Sequence, residues 1–421
     1  MGLVSTILYA FTPYTDASER AVGVFFKGLT EHGNQSRMRT RLNGLLQRNI
    51  AVINLWTEYR YKGYKYLRKS QRRKLYTNLR LIAEDFERFC VDNTQPADIV
   101  VAHIHKLMPG ASVDPDRAVR LQALLNYFSP LRGIYEYHKS SSFGRLLRDP
   151  SRQKLAGDCN QIVTLYIYLY SRYFDVHDLQ IRILPGHVAL HYAGIDIEAT
   201  SGAFVDYSDR KGGALLPIEE IVSINLLDTT DSYLSTHEVA PEDFLQASRL
   251  AFILSHERDI ATHNLDAAYS DVINSLMERN NYSQALKFAT ASHNMTLLSV
   301  VGHNGAIYEM EHHNYNAARR FAKHALKRDE LIKDCWRSEG FHYYQAGRYH
   351  NAIKAFKHIS DRAGIRQCYE ALFFDEQKKL GSVDTESIKK HRGTVKRMRT
   401  YAKKSGNKQL IEHTDTLNKY L

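Results

Sequence analysis

The sequence predicts an α+β protein that is mainly helical. Three patterns carry this expectation. Apolar residues recur at helical spacing up to about residue 150, a short central stretch turns into strand-like runs split by glycine-containing breaks, and helical periodicity returns from about Leu265 with an internal repeat. The expected divisions are a helical N-terminal region (residues 1–115), an α+β core (116–260), a helical repeat array (261–380) and a basic helical cap or tail (381–421).

In the first region Leu79, Ile82, Phe86 and Phe89 share a helix face, as do Leu121, Leu124, Leu125 and Phe128. Pro109-Gly110 and Asp114-Pro115 interrupt the helices. The core begins with an apolar helix through Ile162, Leu165, Tyr166 and Leu169. Three short runs follow, Leu179–Leu184, His187–Tyr192 and Gly194–Ala199, parted by Pro185-Gly186 and Ala193-Gly194. Breaks of two residues containing glycine predict hairpins, hence an antiparallel meander.

Beyond Leu265, Tyr282-x-x-Ala285, Tyr315-x-x-Ala318 and Tyr349-x-x-Ala352 recur at offsets of 33 and 34 residues. In the fullest unit Trp336, Gly340, Tyr343, Gly347, Tyr349, Ala352 and Phe356 alternate large, small and aromatic residues. Small residues at Gly340 and Ala352 let two helices approach while aromatics fill the groove beside them. The middle unit has Gly302 and Glu309 where this unit has Trp336 and Tyr343. Ile365–Phe374 and the C-terminal stretch are expected to cap the stack. The pattern resembles tetratricopeptide repeats, which implies an α-solenoid that binds protein partners.

Composition narrows the class of protein. Charged residues make up 24 % and hydrophobic residues 43 %, which is globular and not disordered. Cys90, Cys159, Cys335 and Cys368 are scattered, without a C-x-x-C pair or zinc-like histidine spacing; neither a disulfide framework nor a metal site is expected, and a cytoplasmic setting fits. MGLVSTILYAF lacks the basic lead and cleavage site of a secretory signal, and no apolar run reaches the ~20 residues of a membrane span. Gly2 and Thr6 satisfy a myristoylation pattern, a loose one, and the chain is read as soluble.

A net charge of +11 favours acidic partners. From Arg60 to Arg80 cations alternate with Tyr59, Tyr61, Tyr64, Tyr66 and Tyr76, and a second run spans Lys389 to Lys404. Both suit nucleic acid, yet also solvated helix faces. No specific nucleic-acid motif accompanies them, so this stands as a third reading, below the two given next.

The chemistry-bearing constellation lies in the core. Asp158 is a favourable N-cap, placing Cys159 in the first turn of the apolar helix, where free amides and the helix dipole favour a thiolate. His187 opens the strand after Pro185-Gly186, and Asp196 and Glu198 share one face of the next strand. Thiol, imidazole and carboxylate could thus converge as nucleophile, base and orienting acid. His191 shares the face of His187 but is read as structural.

Gly157-Asp158-Cys159, Gly186-His187-Val188 and Ile197-Glu198-Ala199-Thr200 together resemble the transglutaminase-like, papain-related superfamily. The resemblance implies Cys159 as nucleophile, His187 as base, and Glu198 in the place of the usual aspartate, with Asp196 as rival. Ala199 stands where the family strand has proline. Gln153, six residues before Cys159, is at the spacing of a side-chain oxyanion donor in papain-like enzymes. The implied activity is acyl-thioester chemistry on amide or peptide bonds, as protease, amidase or acyltransferase, with no metal or organic cofactor. The alternative is a catalytically inactive interaction scaffold of the same architecture.

Overall fold

In a computed structural model the chain is described at residue 9 and over residues 11–140, 142–228, 239–381 and 383–421. The Gly2 and Thr6 pattern lies outside these residues. The chain forms two compact units, residues 1–268 and 269–421.

The first unit opens with α1 (Ala17–Lys27), capped by the Asp16 carboxylate, which accepts from the Ser18 and Glu19 amides. In α2 (Gln35–Arg60) the backbone at Asn49 is extended, and its side-chain oxygen accepts from the amides of Ala51 and Val52. Asn49 therefore restarts the helix as an internal N-cap. There follow α3 (Lys69–Asn93), α4 (Ala97–Leu107) and α5 (Pro115–Phe128), the last with Asp114 as N-cap and proline in the first turn. The periodic residues Leu79, Ile82, Phe86, Leu121, Leu124, Leu125 and Phe128 are all buried.

Next come β1 (Tyr135–Tyr137), a short helix α6 (Phe143–Leu146), β2 (Leu155–Gly157) paired parallel to β1, and α7 (Cys159–Tyr170). From Ile162 to Tyr170 every residue of α7 is buried, as its apolar character on all sides requires. After a 3-10 turn the chain builds one antiparallel sheet from β3 (Leu179–Leu184), β4 (His187–Tyr192), β5 (Ile195–Glu198), β6 (Ala203–Val205) and β7 (Ala214–Pro217), in the order β6-β5-β4-β3-β7. Both anticipated two-residue turns are present: Gly186 has φ +70°, and Ala193 and Gly194 have φ +49° and +94°. Two positive φ values suit the right-handed twist of the flanking strands. The helices α8 (Glu220–Leu227) and α9 (Pro241–Leu254) pack on each other.

Residues 11–115 are tied by side-chain hydrogen bonds to the residues that follow them in the first unit. The Asn54 amide reaches Thr164, and Asn225 donates to both Asn54 and Thr164. Gln47 donates to the carbonyls of Ser171 and Phe174 and accepts from the Val176 amide. Glu58 accepts from Ser142, Phe143 and Gly144 at the start of α6.

Part of the Arg60–Arg80 stretch is likewise drawn inward. Arg72 is buried against Glu19 at 2.7 Å, with its guanidinium over the Tyr59 ring at 4.0 Å. Lys62 is buried and donates to the carbonyls of Asn225 and Asp228, while Lys69 donates to those of Tyr9 and Thr12. These three cations serve the fold, while Arg60, Lys65, Arg68, Arg73, Lys74 and Arg80 stay exposed.

The boundary between the units falls within α10 (Arg258–Glu278). The second unit continues with α11 (Tyr282–Ala291), α12 (Met295–Glu311), α13 (Tyr315–Ala322), α14 (Arg328–Gln345), α15 (Tyr349–His358), α16 (Arg362–Leu380), α17 (Thr385–Lys390), α18 (Arg392–Ser405) and α19 (Lys408–Asn418). Each repeated tyrosine is the first residue of a helix. Two residues before each stands a left-handed residue: Asn280 (φ +57°), His313 (φ +61°) and Gly347 (φ +71°). The next amide in turn bonds the carbonyl five residues back, at 2.8 Å in all three turns. This closes the preceding helix in the same way each time.

A Cβ on Gly340 would lie 2.5 Å from the Phe356 ring, and one on Gly305 would lie 2.6 Å from Phe321. In the middle unit Gly302 sits against the backbone at His324 and Ala325, a contact that a larger side chain would forbid. No helix among the described residues is long and apolar enough to cross a membrane.

Candidate functional site

The tip of α7 is built by local chemistry. Asp158 accepts from the amides of Asn160 and Gln161, and Gln161 returns a hydrogen bond from the Asp158 amide to its own carbonyl oxygen. This reciprocal capping box fixes where the helix begins and makes Cys159 its first residue. The Tyr135 hydroxyl and the His138 amide both donate to the Gly157 carbonyl, which ties the segment before the tip to β1. A Cβ at Gly157 would come within 3.1 Å of the Gln161 side chain and 3.3 Å of Leu146. Gly157 therefore permits close packing at the tip.

His187 and Glu198 meet because of strand register. Leu190 pairs with Ile197, so Glu198 stands opposite Ala189 and diagonal to His187 on the same face. His187 Nε2 lies 2.6 Å from Glu198 Oε2, with the histidine side chain 27 % exposed and the glutamate 6 %. Glu198 also accepts from the Tyr207 hydroxyl at 2.7 Å, the Thr200 amide at 3.0 Å and the Thr200 hydroxyl. Burial would raise its pKa, but hydrogen bonds from His187, Thr200 and Tyr207 outweigh this and hold it down to about 2.

The opposite holds for His187. Hydrogen bonding with Cys159, and then with Glu198, pushes it from its ordinary 6.5 up to about 10 against the pull of burial. With Nε2 committed to Glu198, Nδ1 is the ring nitrogen left open to a second partner. The register brings His187 and Glu198 together, and Cys159 is near enough to act on the histidine's pKa. Cys159 itself is only 8 % exposed, with its sulfur 4.0 Å from the Asn160 side-chain oxygen.

Asp196 and Gln153 are not part of this group. Asp196 accepts from Arg182 at 3.0 Å, from His191 Nδ1 at 2.8 Å and from the Tyr207 amide at 2.9 Å, so both its oxygens are engaged by other groups. His191 is tied at both nitrogens, since the Gly194 amide donates to its Nε2. That agrees with its structural reading. Gln153 is exposed and lines a surface pocket whose walls include neither Cys159 nor His187. The intervening Leu155–Gly157 is a strand paired with β1.

Sequence reasoning missed several neighbours of the site. Asp228 lies beside Asp158, and both carboxyls are pushed up, Asp158 by burial and by Asp228, Asp228 by burial. Gln161 bridges them, accepting from the Asp158 amide and donating to Asp228 at 3.0 Å. Tyr137, paired with Gly157, is exposed, and its hydroxyl is raised by burial and by Cys159 and Asp158. The Asp158-x-x-Gln161 spacing was a readable capping signal; Asp228, Tyr137 and Tyr207 arrive from distant loops and strands with none.

The remaining cysteines differ. All four are free and buried, and burial pushes Cys90 up, and Cys335 and Cys368 up to about 11. Among the described residues no group of histidine, cysteine, aspartate and glutamate could hold a metal ion. No protein-family model matches the chain, and no curated protein sequence matches it.

Proposed function

We propose that the protein is a cysteine enzyme of transglutaminase-like character that acts on amide or peptide carbonyls through an acyl-thioester. The observation that carries this reading is the His187–Glu198 pair at 2.6 Å, with Glu198 fixed by three further hydrogen bonds and Cys159 contributing to the raised pKa of His187. The Cys159 sulfur attacks the carbonyl carbon and His187 holds the thiol proton. Collapse of the tetrahedral adduct breaks the C–N bond, and His187 delivers that proton to the departing amine. Water or a second amine then attacks the thioester, loses a proton to His187 and releases the thiolate. Glu198 keeps the imidazole oriented and stabilises its cationic form. The Cys159 amide, at the first position of α7 where no intrahelical acceptor is available, is a donor for the oxyanion.

The helical pairs of the second unit act as tetratricopeptide-like repeats that present a protein partner; the recurring left-handed turn at Asn280, His313 and Gly347 supports this. Four free cysteines fit a reducing compartment, and this reading assigns the protein to the cytoplasm. The second reading, a non-catalytic scaffold, is favoured by the near-complete burial of Cys159.

Iodoacetamide at about pH 6 separates them, because a thiolate and not a thiol is the nucleophile. An enzyme labels at Cys159 far faster than at Cys90, Cys335 or Cys368, and His187→Ala abolishes the difference. Equal slow labelling of all four leaves the scaffold.

A further inference from the structure

A second site, distant in character from the cysteine, lies where α3 faces α6 and the loop after it. A cavity of about 590 Å³ opens there, within the range of small-molecule pockets. Its walls carry Lys74, Arg145, Arg148 and Arg152 against a single carboxylate, Asp149. That carboxylate is already engaged, accepting from the Ser151 amide at 3.0 Å and hydroxyl at 2.7 Å and facing Arg152 at 3.3 Å.

Arg148 is held differently. Its guanidinium donates to the carbonyls of Arg145 and Lys154, which fix its position without neutralising its charge. The floor is Gly144 and the half-buried Tyr66, whose hydroxyl is bonded to Ser142. A Cβ on Gly144 would lie 2.7 Å from that hydroxyl, so glycine is what lets the floor close.

A concave site with a clear excess of positive charge, the guanidinium of Arg148 held in place and an aromatic wall suits compact anions better than an extended strand of nucleic acid. Lys62, Lys69 and Arg72, engaged inside the fold, interrupt the basic run that a strand would follow. We propose that this pocket binds a small organic polyphosphate, with Lys74, Arg145, Arg148 and Arg152 contacting its phosphoryl groups and Tyr66 its organic part. The proposal goes beyond the cysteine chemistry and stands whether or not Cys159 is reactive.

Calorimetric titration of the full chain with inorganic pyrophosphate and with ATP, at about 0.05 M salt, tests it. Saturable binding of either is expected, tighter for ATP where Tyr66 contributes, and weakening steeply as salt is raised. The Lys74→Ala/Arg152→Ala double variant, both positions exposed, is expected to lose at least about tenfold in affinity while its far-ultraviolet circular dichroism stays unchanged. Lys396→Ala, in the second unit, is expected to leave binding intact. Absence of binding by both probes, or affinity that survives the double variant, overturns the proposal.

Discussion

In the first unit buried charges organise the chain, whereas in the second the size of glycine and alanine does. Glu19 and Arg72, both fully buried, pair across 53 residues of sequence and gather Thr15, Tyr76 and the carbonyls of Pro13 and Leu67 around them. Glu58 is buried too, and its pKa rises to about 7 because burial outweighs Lys62 and the amides at the start of α6. The cores of the second unit are apolar: Ala306, Ala318, Phe321 and Ala322 in one cluster, Ala352, Ile353 and Phe356 in another. A network of buried ions fixes each group in one place, which is what a reactive constellation needs. Close packing of small against large residues gives a stackable shape instead.

The largest consequence concerns Arg72. Its replacement by alanine leaves Glu19 buried without a counter-ion, and a stability loss of about 3–5 kcal/mol is expected by chemical denaturation. The loss should appear in the unfolding of residues 1–268, read by hydrogen exchange, with protection in residues 269–421 unchanged. Uniform loss of protection across both units would erase the contrast.

Next in size is Glu198→Gln, expected to cost about 1.5–3 kcal/mol, the range of a hydrogen bond to a charged group. The sign with pH follows from the two shifts. Glu198 falls from an ordinary 4.5 to about 2, so its contribution is present above 4.5 and lost as pH falls through 2. His187 rises from 6.5 to about 10, so its contribution is complete below 6.5 and lost as pH rises through 10. The gap between wild type and variant should therefore be widest between 4.5 and 6.5 and narrow on both sides. Asp196→Asn should leave Cys159 alkylation at the wild-type rate, since Asp196 serves Arg182 and His191. An Asp196 variant as slow as Glu198→Gln would break the assignment of Glu198 to His187.

In the second unit Gly340→Ala puts a methyl group 2.5 Å from the Phe356 ring. Overpacking of this kind costs about 1–3 kcal/mol, and thermal unfolding should show it while iodoacetamide labelling of Cys159 stays at the wild-type rate.

What could be read beforehand divides along the same line. Pro185-Gly186, Ala193-Gly194 and the Tyr-x-x-Ala repeats are local signals, and the hairpins and helix starts fell where they pointed. The helix start at Cys159 and the pairing of His187 with Glu198 were legible because a helix cap and a strand register are set by neighbours in sequence. The Glu19–Arg72 pair, the β1–β2 ladder and Tyr207 depend on contacts between distant segments that leave no periodic trace. Gln153 was chosen on its spacing from Cys159 in residues alone, and it is exposed in a surface pocket.

The smallest effect sharpens the description of the repeat turns. Asn280, His293, His313 and Ser360 are left-handed without being glycine, and Gly347 occupies the turn equivalent to those of Asn280 and His313. A side chain in that conformation is strained by about 1 kcal/mol relative to glycine, partly offset by the greater freedom glycine gains when unfolded. Ser360→Gly should therefore stabilise the second unit by about 0.5 kcal/mol in denaturant titration. Ser360→Val should destabilise it by more than that, because a β-branched residue tolerates positive φ worst. If the two substitutions instead shift stability in the same direction, backbone strain at the turns is not what sets their sequence, and the choice of residue there answers to something the second unit presents at its surface.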